Sequence, residues 1–244
     1  MRYLILSDLH SNLQATSRVL EDAVSRGFDR VVVLGDVVGY GADPGEVIDR
    51  IRALDPCASV RGNHDKVVCG ITDGEFFNEY ALDAALWTRS VLGREHLDYL
   101  RGLPEGPSLI DGFMISHGTP LDEEEYLLGQ DDAEGVFGEA RFDLAFFGHT
   151  HFPCAFERGE GPPRMMIGVG ASTLRLSPSA RYLINPGSVG QPRDRDPRAC
   201  YATFDSTNLE IAWHRVEYDR EEAKARIFEA GLPHVLGERL ILGV

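Results

Sequence analysis

With 244 residues, 43% of them apolar, the chain can bury a full core, and one α/β domain is expected rather than several small ones. A formal net charge of −15 argues against a nucleic-acid polymer as partner, because phosphate backbones are held by clustered Lys and Arg. The four cysteines (Cys57, Cys69, Cys154, Cys200) show no CxxC spacing and no apolar run approaches ~18 residues, so a soluble cytoplasmic protein with reduced thiols and no membrane partner is expected.

The run "RYLIL" (2–6) reads as a buried strand. A helix follows to Arg26, with Asn12 as cap, an apolar stripe of Leu13, Val19, Leu20 and Val24, and Gly27 at the stop. "RVVVLG" (30–35) is a second strand, and "DPGEVIDRIRAL" (43–54) a helix opened by Asp43, Pro44 and Glu46. With "CASV" (57–60) as a third strand, the spacing predicts right-handed βαβ units and a largely parallel sheet.

Residues 75–101 keep helical periodicity through Phe76, Phe77, Tyr80, Leu82, Leu86, Trp87, Val91 and Leu92. They are read as core or lid packing before a base-stacking platform, and a helical lid-like insertion at about 66–106 is expected within a single domain of 1–244. "SLIDGFMISHG" (108–118) reads as a hairpin turning at Asp111–Gly112. The acidic stretch 121–135 is a solvated loop and short helix, or a movable rim. "FDLAFFG" (142–148) is another buried strand. Short strands follow at 152–157, 164–168, 181–185, 200–205 and 209–217, then a helix at 219–230 and a weakly patterned end. Two packed sheets with helices outside is the economical architecture.

Five apolar runs end in Gly or Ser and then in Asp, Asn or His: Asp8 and His10, Asp36, Asn63 and His64, His117, His149 and His151. Ligands in open α/β sheets bind beyond the carboxyl ends of strands, so these side chains should converge on loops at one edge. Imidazole and carboxylate without thiolate suit Mn, Fe, Zn or Ni and exclude a closed cysteine-type zinc. The set exceeds what one tetrahedral ion needs; two ions about 3.5–4 Å apart that share a carboxylate account for it. Such a pair deprotonates a bridging water and aims it in line at phosphorus. His96, His214 and His234 lie apart from these strand ends and are read as structural.

In order along the chain, "SDLHSN", "GDVVGYG", "RGNHD", "SHG" and "GHTH" (7–151) resemble the five blocks of the calcineurin-like metallophosphoesterase superfamily. "INPGSVGQPRD" (184–194) resembles a tail motif of its small bacterial members. The resemblance implies a four-layer αββα sandwich of two mixed sheets with a dinuclear centre of divalent ions, Mn first, with Fe, Zn or Ni as alternatives. It implies that Asp8, His10 and His151 bind one ion, that Asp36 bridges, and that Asn63, His117 and His149 bind the other. His64 would protonate the leaving oxygen, and Arg61 would contact the phosphate.

Gly39 stands where the protein Ser/Thr phosphatases of the family have an aspartate that orients the catalytic histidine, and Tyr40 where they have a phosphate-binding arginine. Phosphoprotein is therefore a poor candidate substrate. Several small bacterial phosphodiesterases of the family carry Cys or Asn in place of His64, and an imidazole favours leaving groups that need a proton. Tyr40 and Arg193 join Arg61 as substrate-binding candidates; Arg193, Arg195 and Arg198 read equally as phosphate forks or as turns paired with Asp194 and Asp196. Ser188 reads as a donor or as part of a tight turn. The expected activity is hydrolysis of small phosphodiesters or nucleotide-type phosphates. Dinucleoside polyphosphate hydrolase, phosphomonoesterase or protein phosphatase, and a non-catalytic metal-binding scaffold are the alternatives; a scaffold has no use for His64.

Overall fold

The computed structural model describes residues 1–168 and 170–244. β1 (Arg2–Leu6), α1 (Leu13–Arg26), β2 (Arg30–Val33), α2 (Pro44–Ala53) and β3 (Ala58–Ser59) make the predicted start, with β1–β2 and β2–β3 both parallel. Asn12 caps α1 by accepting from the Ala15 amide at 3.0 Å. Asp43 makes no such bond to α2 and accepts instead from the Arg226 guanidinium. α3 (Asn63–Cys69), α4 (Glu79–Val91) and α5 (Arg94–Gly102) follow. The continuous helical pattern of 75–101 is thus two helices, broken where Leu92 turns extended ahead of Gly93.

β4 (Ser108–Ile110) and β5 (Phe113–Ile115) form the predicted hairpin, with Asp111 (φ 43°) and Gly112 (φ 91°) both left-handed as a two-residue turn requires. Then come α6 (Gln130–Glu139), β6 (Leu144–Phe146), β7 (Cys154–Arg158), β8 (Arg164–Ile167), β9 (Thr173–Arg175) and β10 (Arg181–Asn185). β11 (Ala199–Asp205), β12 (Glu210–Val216), α7 (Arg220–Glu229) and α8 (His234–Leu242) complete the chain. α8 escapes the sequence pattern because a glycine sits inside it. Gly237 is where α8 meets α7, and a Cβ there would press on the Phe228 ring at 2.9 Å. β9 escapes because it is a three-residue edge strand.

The strands form two six-stranded sheets, ordered β3-β2-β1-β11-β12-β9 and β4-β5-β6-β10-β7-β8, each mixing parallel and antiparallel pairs. Alternating side chains assign the layers. Tyr3, Ile5, Val32 and Leu34 point between the sheets and meet Phe113, Phe146, Tyr182 and Ile184 of the other sheet. Leu4, Leu6, Val31 and Val33 point outward to α1 and α2, in a cluster that also takes Val67, Ala84 and Leu100 from α3 to α5 and Ile227 and Leu236 from α7 and α8. Ala145, Phe147 and Leu183 pack outward on Val136 and Phe137 of α6. The result is the four-layer αββα sandwich. Among the described helices none is long and apolar enough to cross a membrane, and the four cysteines are free.

β1, β2 and β3 are parallel in one sheet, and β5, β6 and β10 in the other. The chain leaves the carboxyl ends of these strands with the residues singled out above. One expectation needs correcting. Asn63 does not lie on a loop but opens α3, because the Asp65 carboxylate accepts from the Gly62 amide at 2.9 Å and starts the helix there.

Candidate metal centre

Five of the candidate ligands at these strand ends adopt the left-handed region: Asp8 (φ 53°), His10 (48°), Asp36 (51°), His149 (65°) and His151 (59°). Asp and His tolerate that region better than most residues, and such strain gathers where surrounding structure holds a side chain in place for a task. The chain segments touch closely. A Cβ on Gly62 would overlap Asp36 Oδ1, so only glycine lets the β3 end approach the β2 end.

Two donor groups result, Asp8, His10, Asp36 and His151 in one and Asp36, His117 and His149 in the other, each with its ligand atoms within 4.8 Å of one another. Asp36 belongs to both. Asn63 joins the second group, its Oδ1 3.1 Å from His117 Nε2. All seven predicted ligands are thus brought together; His64 stands outside both groups.

The histidine tautomers follow from their neighbours. His10 Nδ1 donates to the Val38 carbonyl (3.1 Å), His117 Nδ1 to that of Leu34 (2.8 Å) and His151 Nδ1 to that of Gln191 (2.6 Å). Carbonyls only accept, so each Nδ1 carries the hydrogen and each Nε2 is left to present a lone pair to the centre when the ring is neutral. His10 Nε2 and His151 Nε2 then face each other at 3.0 Å, with Asp8 Oδ1 3.3 Å from His151 Nε2 and Asp36 Oδ2 3.6 Å from His10 Nε2. Burial pushes both imidazoles well below their ordinary pKa, so protons do not resolve the facing lone pairs. A divalent cation would, and the N/O donor set suits one. In the second group His149 Nε2 is buried without a hydrogen-bond partner among the described residues.

Charge tells the same story. Burial raises the Asp8 carboxyl to about 7. Asp36 resists burial, and the neighbouring His117 and His64 hold it well below the usual carboxylate range. Burial opposes a charged His117, yet Asp36 and Asp8 lift it to about 10. These enclosed carboxylates draw positive charge to the centre.

His64 is held by packing. Its backbone amide donates to Asp36 Oδ1 at 2.9 Å, while its Nδ1 has no hydrogen-bond partner among the described residues. The ring sits among Tyr40 (centroids 4.4 Å apart), Phe77 (4.5 Å) and His10 (4.9 Å). Gly39 (φ 98°) closes the cage, since a Cβ there would overlap His64 Nδ1. The position that holds an orienting aspartate in the protein phosphatases is therefore filled by the ring itself. Burial lowers the His64 pKa to about 4, with Asp36 opposing.

The three substrate-binding candidates differ. Arg61 is engaged by Glu123 (3.0 and 3.1 Å) and Glu105 (2.9 Å), and Lys66 adds a further pair to Glu123 at 2.7 Å. Arg193 instead has neutral partners, Gln191 Oε1 at 3.0 Å and Tyr40 Oη at 3.4 Å, and lies over the Tyr40 ring. Arg198 pairs with Asp196, and Asp194 with the buried Arg215. Of the arginines in the tail, Arg193 alone is both beside the centre and without a carboxylate partner among the described residues. His96 meets Asp49, His214 meets Thr203 and His234 stacks on Phe228, all outside the donor groups.

Ser188, read above as a donor or part of a tight turn, donates its Oγ to the Asp8 carbonyl (2.9 Å); Asn185 Nδ2 donates to that of Gly148 (2.8 Å), and the capping Asn12 also donates its Nδ2 to that of Gly190 (2.8 Å). The motif "NPGSVGQPR" is thus the strap over the first donor group, and its Ser and Asn were its visible signal. Tyr126 stacks on His149 with centroids 3.8 Å apart; it lay unmarked in an acidic stretch.

Residues 1–209 match the model of the calcineurin-like phosphoesterase superfamily domain. An uncharacterized protein of Methanocaldococcus jannaschii is 42% identical over 248 residues, 98% of this chain and 97% of its own. The phosphodiesterase YfcE of Escherichia coli K12 is 26% identical over 220 residues, 86% of this chain and 91% of its own. A crystal structure of a metallophosphoesterase from Sphaerobacter thermophilus superposes with a TM-score of 0.88 at 40% identity, with 100% of both chains covered.

Proposed function

We propose, for a chain that belongs to the calcineurin-like phosphoesterase superfamily, a hydrolase of small phosphoesters whose two donor groups hold two divalent ions sharing Asp36. Mn is the first candidate among Mn, Fe, Zn and Ni, by donor chemistry. Bound there, the ions supply positive charge to phosphoryl oxygens and make a water nucleophilic at neutral pH.

The chain's own residues do the rest. The backbone carbonyls of Val38, Leu34 and Gln191 fix the rings of His10, His117 and His151 and raise their basicity. Arg193, without a carboxylate partner among the described residues, is the fork that orients the phosphoryl group, with Tyr40 beneath it. Water adds its hydroxyl to phosphorus and releases its other proton to solvent, the ester P–O bond breaks, and the departing oxygen keeps the bonding pair and takes a proton from the imidazolium form of His64. Burial disfavours that form and the anionic ester beside it favours it; solvent returns the proton after turnover. Tyr40, Phe77 and Gly39 hold the His64 ring in place for that transfer.

The observation that carries this reading is Asp36. Its Oδ2 lies 3.6 Å from His10 Nε2 and 3.4 Å from His117 Nε2, while its Oδ1 fixes the backbone of His64. One carboxylate links both donor groups to the proton donor. Bis-p-nitrophenyl phosphate should be turned over by the Mn²⁺-loaded protein, the activity lost with EDTA and restored by Mn²⁺. No turnover with both donor groups filled would favour a metal-binding scaffold. Because His64 meets Gly39 where the protein phosphatases place aspartate, a phosphopeptide should be a much poorer substrate than the best small ester.

A further inference from the structure

A cavity of about 620 Å³ opens beside the second donor group, between α3 and the loop of residues 70–78. Asn63 and Phe77 form its inner end. Phe77 also packs on the His64 ring, so the cavity begins one side chain away from the proposed proton donor. At its outer end stands Phe76, 89% exposed, an unusual investment for a phenylalanine unless something covers it. The volume lies within the ordinary range for a small-molecule pocket.

Charge narrows the occupant. Asp73 and Glu75 line the wall without a cationic partner among the described residues, and Glu124 is paired with Lys66. The basic residue of the lining, Arg89, donates to the Val67 and Val68 carbonyls at the end of α3. A ligand bearing several phosphates would meet carboxylates here with no free cation to balance it. A flat neutral group would meet two phenyl rings.

We infer that this cavity is the leaving-group pocket and that it takes a flat, uncharged alcohol of nucleoside size, stacked on Phe76 and Phe77, in preference to one carrying further phosphates. The inference rests on the proposed reading of His64 as donor to the leaving oxygen, because this cavity is lined by Phe77, which adjoins the His64 ring, and by Asn63. It selects phosphodiesters of nucleosides over dinucleoside polyphosphates.

Two measurements on the full Mn²⁺-loaded chain test it. The first compares kcat/KM for adenylyl-(3′→5′)-adenosine, whose hydrolysis can release adenosine as the leaving alcohol, with that for diadenosine tetraphosphate. The wild type should favour the former by at least tenfold. Phe76→Ala should cut that preference roughly five- to a hundredfold, the range for removing one base–aromatic stack. Asp73→Asn with Glu75→Gln should narrow it by raising the polyphosphate rate. The second follows adenosine binding by equilibrium dialysis, with Phe76→Ala weakening it by a similar factor. Equal or better hydrolysis of diadenosine tetraphosphate, or adenosine binding indifferent to Phe76, overturns the inference. So does sedimentation showing a dimer that depends on Phe76 in a protein that binds no adenosine. Phe76-dependent adenosine binding without hydrolysis of any ester would uphold the pocket and refute the proposed activity.

Discussion

Both donor groups are buried, but the first is closed over by a strap whereas the second adjoins a cavity through Asn63. Asp8, His10 and His151 are at most 2% exposed, and the strap from Asn185 to Arg193 crosses over them, Ser188 and Asn185 donating to the carbonyls of Asp8 and Gly148 and the Gln191 carbonyl accepting from His151 Nδ1. The second group is built from the half-buried Asn63 at a helix start and from the buried His117 and His149; His149 Nε2 has no hydrogen-bond partner among the described residues, and its cover is Tyr126, itself 48% exposed. A cavity adjoins Asn63, whereas the first group is walled by the α1 start and the strap. The difference teaches a division of labour. One half is pre-organised to hold an ion, and the other keeps an approach for substrate and leaving group.

Removing the shared carboxylate should have the largest effect. Asp36→Ala takes a ligand from both groups and the tie to His64, so metal analysis should show both ions weakened and kcat/KM should fall more than about a thousandfold. If both ions stay at wild-type affinity, the groups are not joined through Asp36.

His64→Ala comes next. Both ions should remain, while alkyl and nucleoside esters lose roughly 10²–10⁴-fold in kcat/KM and p-nitrophenyl esters, whose leaving group needs no proton, lose much less. Equal losses on the two ester types at constant metal occupancy would make His64 a positioning residue.

The strapped half can be attacked from behind. Arg215, 2% exposed on β12, pairs with Asp194 just beyond the strap. Arg215→Met leaves that carboxylate buried and unpaired, and denaturant unfolding should show a loss of about 3–5 kcal/mol. A change under about 1 kcal/mol would mean that the strap is held by other contacts. The smallest effect is expected at the half beside the cavity. Tyr126→Ala should weaken one ion by about tenfold and leave the other unchanged, as read by competition with a chelator. Equal weakening of both would erase the distinction between the halves.

Much of this was written in the sequence. Apolar runs such as "YLIL" and "VVV" are buried on both faces, so they read without alternation, and the polar residues that end them mark the edge where they surface. What stayed hidden depends on tertiary contact. Asp65 starts α3 through Gly62, and nothing local shows that the β3 end becomes a helix. Phe76 shares the periodicity of Leu82 and Leu92 yet is exposed, because the chain around it is a loop at a cavity rim and not a helix face. Arg61 looked like a phosphate ligand from its neighbours, but Glu105 and Glu123, about 44 and 62 residues away in sequence, claim its guanidinium. Gly39 could be read as a missing aspartate, not as the floor on which His64 rests.

The central claim, two ions joined by Asp36 with one half tighter than the other, is tested most directly by anomalous diffraction from crystals soaked at limiting and then at excess Mn²⁺. One peak should appear first among Asp8, His10, Asp36 and His151, and a second at excess among Asp36, Asn63, His117 and His149. A single peak at excess Mn²⁺, or the second position filling first, would contradict it.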